Sequence, residues 1–314
     1  MRSTVTEAFS VRKARRDDYD AVAALTENTW PEREGGDYVT SVFHHWMDTD
    51  GPDQRTFVVV ADGEVVGLVQ AVRLSEYEAW YQAMRVHPDY QGKGVSVALN
   101  RACFDWSRGW GATVGRLMVF SWNVAGLGAA RANGFDPGTE FRWIHPEPDP
   151  DVTPDGRVIE DPDAAYAYWT NSDAREHLGG LALDMDESWA CSELTREDLK
   201  RAHEETRVFS AIDENGGDAR SGTRGMTFRV RDYERETDDG SVHLAEYGVA
   251  AWEDVDALRD LLAAVSRDAS SLGADEIRIL VPETAQHVSD AAYAKAGIAD
   301  HPDFVLGVDL TGWD

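Results

Sequence analysis

The chain has 314 residues, 42% of them hydrophobic and 28% charged, enough for one large or two ordinary domains with a buried core. No run approaches about 18 consecutive apolar residues, which excludes a helical membrane span, and the opening MRSTVTEAFSVRKARRDD lacks the apolar region of a secretory signal. Fifty-eight acidic against 30 basic residues give a net charge of −28, a field that argues against nucleic acid or an anionic membrane as the main partner.

Phe9–Ala14 reads as a strand, and Asp17 or Asp18 caps a helix that runs to about Glu27 with Tyr19, Val22, Ala23 and Leu25 among its apolar positions. A second helix is predicted near Asp37–Met47. Thr56–Ala61 and Glu64–Arg73 are β-rich runs separated by Asp62-Gly63, a hairpin signal, and Trp80–Val86 is a further strand. Gly94–Arg108 is helical, with Val95, Ala98, Leu99, Ala102, Cys103 and Trp106 in one stripe. Arg116–Trp122 is a strand, Ala125–Ala132 a short helix and Phe141–His145 a last strand. This order predicts an α+β domain with a mixed sheet.

Residues 146–163, PEPDPDVTPDGRVIEDPD, hold five prolines and seven acidic residues and cannot form a helix or a central strand. They divide the chain into a first domain at 1–148, a linker at 149–160 and a second domain at 161–314. In the second, Trp189–Leu194 reads as a strand and Thr195 caps a helix with Glu197 and Asp198 in its first turn. Val208–Asp213 and Gly225–Arg231 pair as strands, followed by strand His243–Ala251, helix Asp254–Ser271, strand Glu276–Val281, helix His287–Ala296 and strand Phe304–Leu310. The halves read as a tandem duplication, with Asp163–Leu183 extra.

Chemistry concentrates in MRVHPDYQGKGVSVAL, residues 84–99. A strand ends at Val86, a loop with Gly92 and Gly94 follows, and an amphipathic helix begins at once. Glycines let backbone approach a ligand, and the unpaired N–H groups of the helix's first turn make an anion cradle. A strand–helix turn that merely uses glycines fits the Gly-x-Gly spacing equally. Lys93 lies between the glycines, so this is not a P-loop, and the third glycine of a dinucleotide fingerprint is missing.

The loop resembles the coenzyme A loop of the GNAT acetyltransferase superfamily, Gln/Arg-x-x-Gly-x-Gly/Ala, with Gln91, Gly94 and Ser96 at the specified positions. Ser96 departs from Gly/Ala. Asn123 after the next strand, Gly134-Phe135 closing the following helix, Asp62-Gly63, and Val86 followed by His87 and Pro88 extend the resemblance over roughly residues 9–145. The resemblance implies two tandem GNAT-like domains and an acetyl-CoA cosubstrate with no metal. Backbone groups of Gln91, Gly92, Lys93, Gly94, Val95 and Ser96 would hold its pyrophosphate, and the strand edge at Met84, Arg85 and Val86 its pantetheine arm. Asn123 would orient that arm or cap a helix. The implied reaction is direct acetyl transfer to a neutral amine, which needs a base or a water wire, and an acid for the leaving thiolate.

Both of the family's usual proton-handling positions are altered. Gln82 stands where many members carry Glu, and Ala130 where many carry Tyr. Strand alternation puts Glu78, Trp80, Gln82 and Met84 on one face, so Glu78 is the substitute base, with Glu76, His87, His44 and His45 as rivals. Tyr81, Tyr38 or Tyr90 could supply the acid, and Trp30, Trp46 and Trp80 could line the acceptor pocket or the core. In the second half, Trp252-Glu-Asp-Val-Asp256 has no glycine and three carboxylates where phosphates would bind, so that half is expected to hold no cofactor and to serve a structural role.

The expected activity is N-acetylation of an amine, a small molecule in preference to a peptide. The alternative is an acyl-CoA-binding module without turnover, and a third reading is a purely structural protein. The acidic balance, with lysine only at Lys13, Lys93, Lys200 and Lys295, reads as adaptation to a salt-rich cytoplasm, where a shortened Debye length relieves the repulsion. Cys103 and Cys191 fit a reduced compartment.

Overall fold

From Ser10 onward the chain alternates between period-2 and period-3.6 apolar patterning, and the elements follow it. In this computed structural model the described residues are 9–27, 29, 37–213, 222–237 and 240–312. The elements of the first half are β1 (Ser10–Lys13), α1 (Tyr19–Thr26), α2 (Val39–Thr49), β2 (Gln54–Ala61), β3 (Glu64–Arg73), β4 (Glu78–Val86), α3 (Val95–Gly109), β5 (Val114–Phe120), α4 (Val124–Ala132) and β6 (Asp136–His145). There follow β7 (Arg157–Ile159), α5 (Pro162–Trp169), α6 (Asp173–His177), β8 (Leu181–Leu183), β9 (Cys191–Glu193), α7 (Arg196–Glu205), β10 (Arg207–Ile212), β11 (Thr223–Thr237) and β12 (Gly240–Trp252). The last are α8 (Val255–Leu272), β13 (Glu276–Pro282), α9 (Ala285–Tyr293), β14 (Gly297–Ile298) and β15 (Asp303–Asp309).

The described residues gather into two compact units that interleave along the chain. The first holds the residues up to Leu117, Val124–Asp136 and those from Leu306 on; the second holds Met118–Asn123 and Pro137–Val305. These units differ from the boundaries at 148 and 161 read from the sequence, because β6 groups almost wholly with the second unit and the end of β15 with the first.

In the first unit β1 to β4 form an antiparallel meander, and β5 adds to β4 in parallel. Asp62 and Gly63 take φ of 50° and 89°, the left-handed pair that a two-residue hairpin between β2 and β3 needs. Val22, Leu25, Val39, Phe43 and Trp46 of α1 and α2 pack with Val58 and Leu68 of the sheet. Gly67 brings α3 hard against β3, since a Cβ there would stand 2.7 Å from Val95 Cγ1. The Asp18 side chain does not cap α1; its carboxylate instead pairs with Arg12 at 2.7 Å.

In the second unit the order of neighbouring strands is β6, β13, β12, β11, β10 and β7, with β12 and β13 parallel and the other neighbours antiparallel. Tyr247, Leu258, Leu261, Val265, Ile277 and Ile279 are central to its core. Thr195 and Asp198 close α7 with the reciprocal capping box that their spacing predicts. Two expectations are corrected. Part of the proline-rich stretch forms a strand, β7, which sits at the sheet's edge, where only one neighbour, β10, has to be satisfied. Asp163–Leu183 is not an insertion as a whole; α5 occupies the same place before its sheet strands as α1 does in the first half.

Candidate functional site

β4 carries a bulge that the sequence conceals. Gln70 faces Gln82 but Leu68 faces Arg85, so Ala83 and Met84 together stand opposite one residue, and Ala83 takes φ 57°. The bulge corrects the expected alternation: Arg85, not Met84, continues the face of Gln82. The parallel ladder with β5 covers only Glu78–Trp80 against Val114–Arg116, while β4 runs on to Val86.

Beyond Val86 the chain makes one short 3-10 turn over Pro88–Tyr90, and His87 caps it with Nδ1, which accepts the Asp89 N–H at 3.2 Å. Gln91 folds back, donating from Nε2 to the Val86 carbonyl at 3.5 Å, and Lys93 places its ammonium 4.9 Å from the Tyr90 ring centre. Gly92 and Gly94 have φ of 71° and 94°, and nothing lies within 4 Å of where a Cβ would be. Gly94 is the residue that begins α3, and no side chain caps this end. Among the described residues, the backbone N–H groups of Gly94, Val95, Ser96 and Val97 find no backbone acceptor; the first amide of the helix to do so is Ala98, bonded to the Gly94 carbonyl. No acidic residue sits in the first turn. These free amides, at the positive end of a helix of 15 residues, suit a diphosphate group. Ser96 adds a hydroxyl, 3.4 Å from the Asn133 amide nitrogen.

The junction between β12 and α8 is built the opposite way. Asp254 caps α8, its carboxylate accepting from the Ala257 N–H at 3.0 Å and pairing with Arg224. Burial works to raise its pKa, yet the backbone amides and Arg224 hold it below the usual carboxylate range. Asp256 adds a second acid in the same turn. Among the described residues, this helix end is occupied by the protein's own anion.

Glu78 does not fit the role of base. It lies at the start of β4, eight residues from the cradle end, is 2% exposed, and pairs with Arg116 at 2.5 Å while accepting from Ser75 Oγ at 2.9 Å. Among its rivals, Glu76 is exposed, His44 stacks on Tyr19 at 4.5 Å, and His45 is exposed on α2. His87 has Nδ1 engaged as the acceptor of the Asp89 N–H. Tyr81 is buried, its hydroxyl donating to Ser107 Oγ at 3.1 Å, and burial pushes its pKa well up. Tyr38 is exposed near the Arg85 guanidinium, and Tyr90 packs against Phe9 and His87. Trp46 and Trp80 are core residues, 6% and 1% exposed, rather than pocket walls, and Trp30 lies outside the described residues. Asn123 stands just before α4, its N–H donated to the Phe120 carbonyl, and groups with the second unit.

Two features went unread in the sequence. Arg85 makes a two-bond pair with the buried Asp37, Nε to Oδ2 at 2.6 Å and a second contact at 3.1 Å. Gln82 donates to Gln70 at 2.7 Å, Gln70 to Thr56 at 3.3 Å, and Thr56 to Asp50 at 3.1 Å, with Lys13 beyond. The Gln82 amide is thus tied into a buried polar chain. The signal was present as polar residues inside apolar strand runs, but register alone decides that they meet.

Residues 19–135, from α1 to the end of the α4 turn, match the acetyltransferase (GNAT) family. A GCN5-related N-acetyltransferase from Sphaerobacter thermophilus is similar in structure, with TM-score 0.55, 15% identity and 96% of each chain covered. A GCN5-related N-acetyltransferase from Anabaena variabilis gives TM-score 0.50 at 12% identity, over 97% of this chain and 73% of that one. A glucosamine N-acetyltransferase region of a fungal multi-domain GH3 β-N-acetylglucosaminidase gives 0.62 at 16% identity, over 96% of this chain and 38% of that one. Among curated proteins none matches the chain. The fold is therefore GNAT-like α+β, with mixed, mostly antiparallel sheets flanked by helices in both halves. No helix among the described residues is long and apolar enough to cross a membrane.

Proposed function

We propose that the chain is a GNAT acetyltransferase in which the first half holds acetyl-CoA and passes its acetyl group to an amine, with a small molecule preferred over a peptide. The observation that carries this reading is the uncapped N-terminus of α3 behind two left-handed glycines. Within the loop Gln91–Ser96, whose Gln91 and Lys93 amides are spent on turn bonds, the amides of Gly94, Val95 and Ser96 would hold the pyrophosphate, and β4 from Met84 to Val86, beyond its ladder with β5, would pair with the pantetheine amides. Bound acetyl-CoA supplies the acetyl group as an activated thioester. The residues around the cradle supply position rather than proton transfer: Ala130 has no hydroxyl, Gln82 is tied to Gln70, and Glu78 is locked to Arg116. Water then takes the amine proton, and turnover is expected to rise with pH up to the acceptor's own pKa.

The same observation supports a second reading, an acyl-CoA-binding module without turnover. The acidic surface suits a salt-rich cytoplasm, and the second half is proposed to be structural with respect to acetyl-CoA. Calorimetric titration with acetyl-CoA in molar potassium chloride tests the proposal. One site per chain, lost in Gly94→Val, is expected, because Val at φ 94° is strained and blocks the approach. Binding that survives in the variant removes the cradle, and absence of binding in the wild type removes both readings. Binding without transfer across a panel of primary amines selects the second.

A further inference from the structure

The bulge on β4 is a strained piece of backbone with a side-chain anchor on each flank. Ala83 is held at φ 57°, the left-handed region that a residue with a Cβ enters only at a cost and keeps only where its surroundings over-determine it. On one flank Gln82 is tied across the ladder to Gln70 at 2.7 Å. On the other, the Arg85 guanidinium gives Nε and Nη2 to the Asp37 carboxylate, at 2.6 and 3.1 Å, and Nη1 to the Met84 carbonyl at 3.1 Å. Asp37 is fixed in turn, since its Oδ1 also accepts the Val39 N–H at 3.1 Å at the start of α2. One guanidinium therefore ties the bulged backbone to a helix end 48 positions earlier in the chain.

The value of this pair lies in geometry more than in stability. Its side chains are 11% and 2% exposed, and a buried ion pair gains little over apolar residues of the same volume, because both ions give up water. Two bonds to one carboxylate do fix the plane of a guanidinium, and through Nη1 that plane holds the Met84 carbonyl. The ladder gives the direction of the held edge. His87 donates its N–H to the Val66 carbonyl on β3 at 2.9 Å, so alternation turns the N–H and C=O groups of Val86 and Met84 away from β3. That is the side on which β4 has run past its ladder with β5.

We propose that Asp37 and Arg85 are positioning residues for the pantetheine arm: they clamp the bulge so that the outward backbone groups of Met84 and Val86 are ordered before the arm arrives. This inference rests on the acetyl-CoA reading above. Without the clamp, the edge has to be ordered at the expense of binding energy, so affinity for the arm falls. The free amides of α3 are untouched by the change.

The test titrates the full chain calorimetrically with acetyl-CoA and with 3′-phospho-ADP, the same nucleotide without its arm. The paired variant, Asp37→Asn with Arg85→Gln, removes both ions so that neither is left alone. It is expected to lose at least about tenfold in acetyl-CoA affinity while its affinity for the armless nucleotide stays within about twofold of wild type. Carbon-13 NMR of the ligand-free chain reads Ala83, whose Cα and Cβ shifts report its positive φ, and these signals are expected to move in the paired variant. A control, Arg12→Gln with Asp18→Asn, removes a two-bond ion pair elsewhere in the first unit and should change neither readout. Unchanged acetyl-CoA affinity, equal losses for both nucleotides, unmoved Ala83 signals, or the same effects in the control would each overturn the clamp and leave the acetyl-CoA reading standing. A wild type that binds no acetyl-CoA removes that reading and this inference with it.

Discussion

The strand–helix junctions of the two halves hold the same position in the element order, an eight-residue loop in one and a two-residue link in the other, with opposite electrostatics. After β4, glycines at positive φ leave the N-terminal amides of α3 without a cap or an acid; after β12, Asp254 and Asp256 fill the corresponding place on α8. The strands leading into these turns, in contrast, share a device. Glu78 on β4 pairs with Arg116 on its parallel neighbour β5, and Glu246 on β12 pairs with Arg278 on its parallel neighbour β13. What the halves share therefore belongs to holding the sheet, and what separates them is the helix end on which the proposed acetyl-CoA site rests. By this reasoning Glu78 is a fastener, because its analogue Glu246 persists in the half whose helix end is closed.

That assignment makes the largest prediction. Glu78→Gln leaves the Arg116 guanidinium, 14% exposed, without its carboxylate, and should lower stability by about 3–5 kcal/mol. Denaturant unfolding measures the loss, and Glu246→Gln should cost a similar amount in the second unit. The pH profile of turnover should not change in the Glu78 variant. A variant with wild-type stability and lost turnover would break the comparison and restore Glu78 as a base.

A second test exploits buried titrating groups of the second unit. His287 is pushed down to about 4 by burial, so as pH falls from 6.5 to 4 the unfolded chain takes a proton that the folded one refuses, and stability drops. Asp303 has the opposite sign. Burial pushes it up to about 6 against the opposing Trp143 hydrogen bond and Arg278, so its contribution is present below pH 3.8 and lost as pH rises through 6. Each amounts to about 3 kcal/mol, and the two oppose each other across pH 4 to 6. Asp303→Asn removes one arm. Its stability relative to wild type should rise by about 3 kcal/mol between pH 4 and pH 7, measured by urea unfolding at each pH. A constant difference would show that Asp303 titrates normally.

Much of this was legible in the sequence because it is local. The glycine loop and uncapped helix start at 91–96, the Asp62-Gly63 hairpin, the Thr195 capping box and the acid-rich start of α8 are each set by residues a few positions apart. What was not legible depends on register or on distant partners. The bulge at Ala83 moved Met84 off the expected face, and Arg116, 38 positions away, claimed the carboxylate that alternation had offered for catalysis. β7 escaped notice because three residues at a sheet edge need little propensity when β10 supplies the ladder.

The most direct way to sharpen the comparison is to exchange the electrostatics of the two helix ends. Ser96→Asp puts a carboxylate in the first turn of α3, as Asp256 does in α8. About 5 Å from one charge of a bound diphosphate, at an effective dielectric constant near 20, it should cost about 3 kcal/mol, at least on the order of 100-fold in acetyl-CoA affinity. The helix itself should gain a few tenths of a kcal/mol from the same charge. The reciprocal change, Asp254→Ala, removes the cap and should destabilise the second unit by about 1 kcal/mol. It should not create a second acetyl-CoA site, because Glu253 and Asp256 remain and no left-handed glycine precedes α8. Calorimetry on both variants separates the contributions. If Asp254→Ala bound acetyl-CoA, charge alone would distinguish the halves; if Ser96→Asp bound it normally, the α3 amides would not be the anion site.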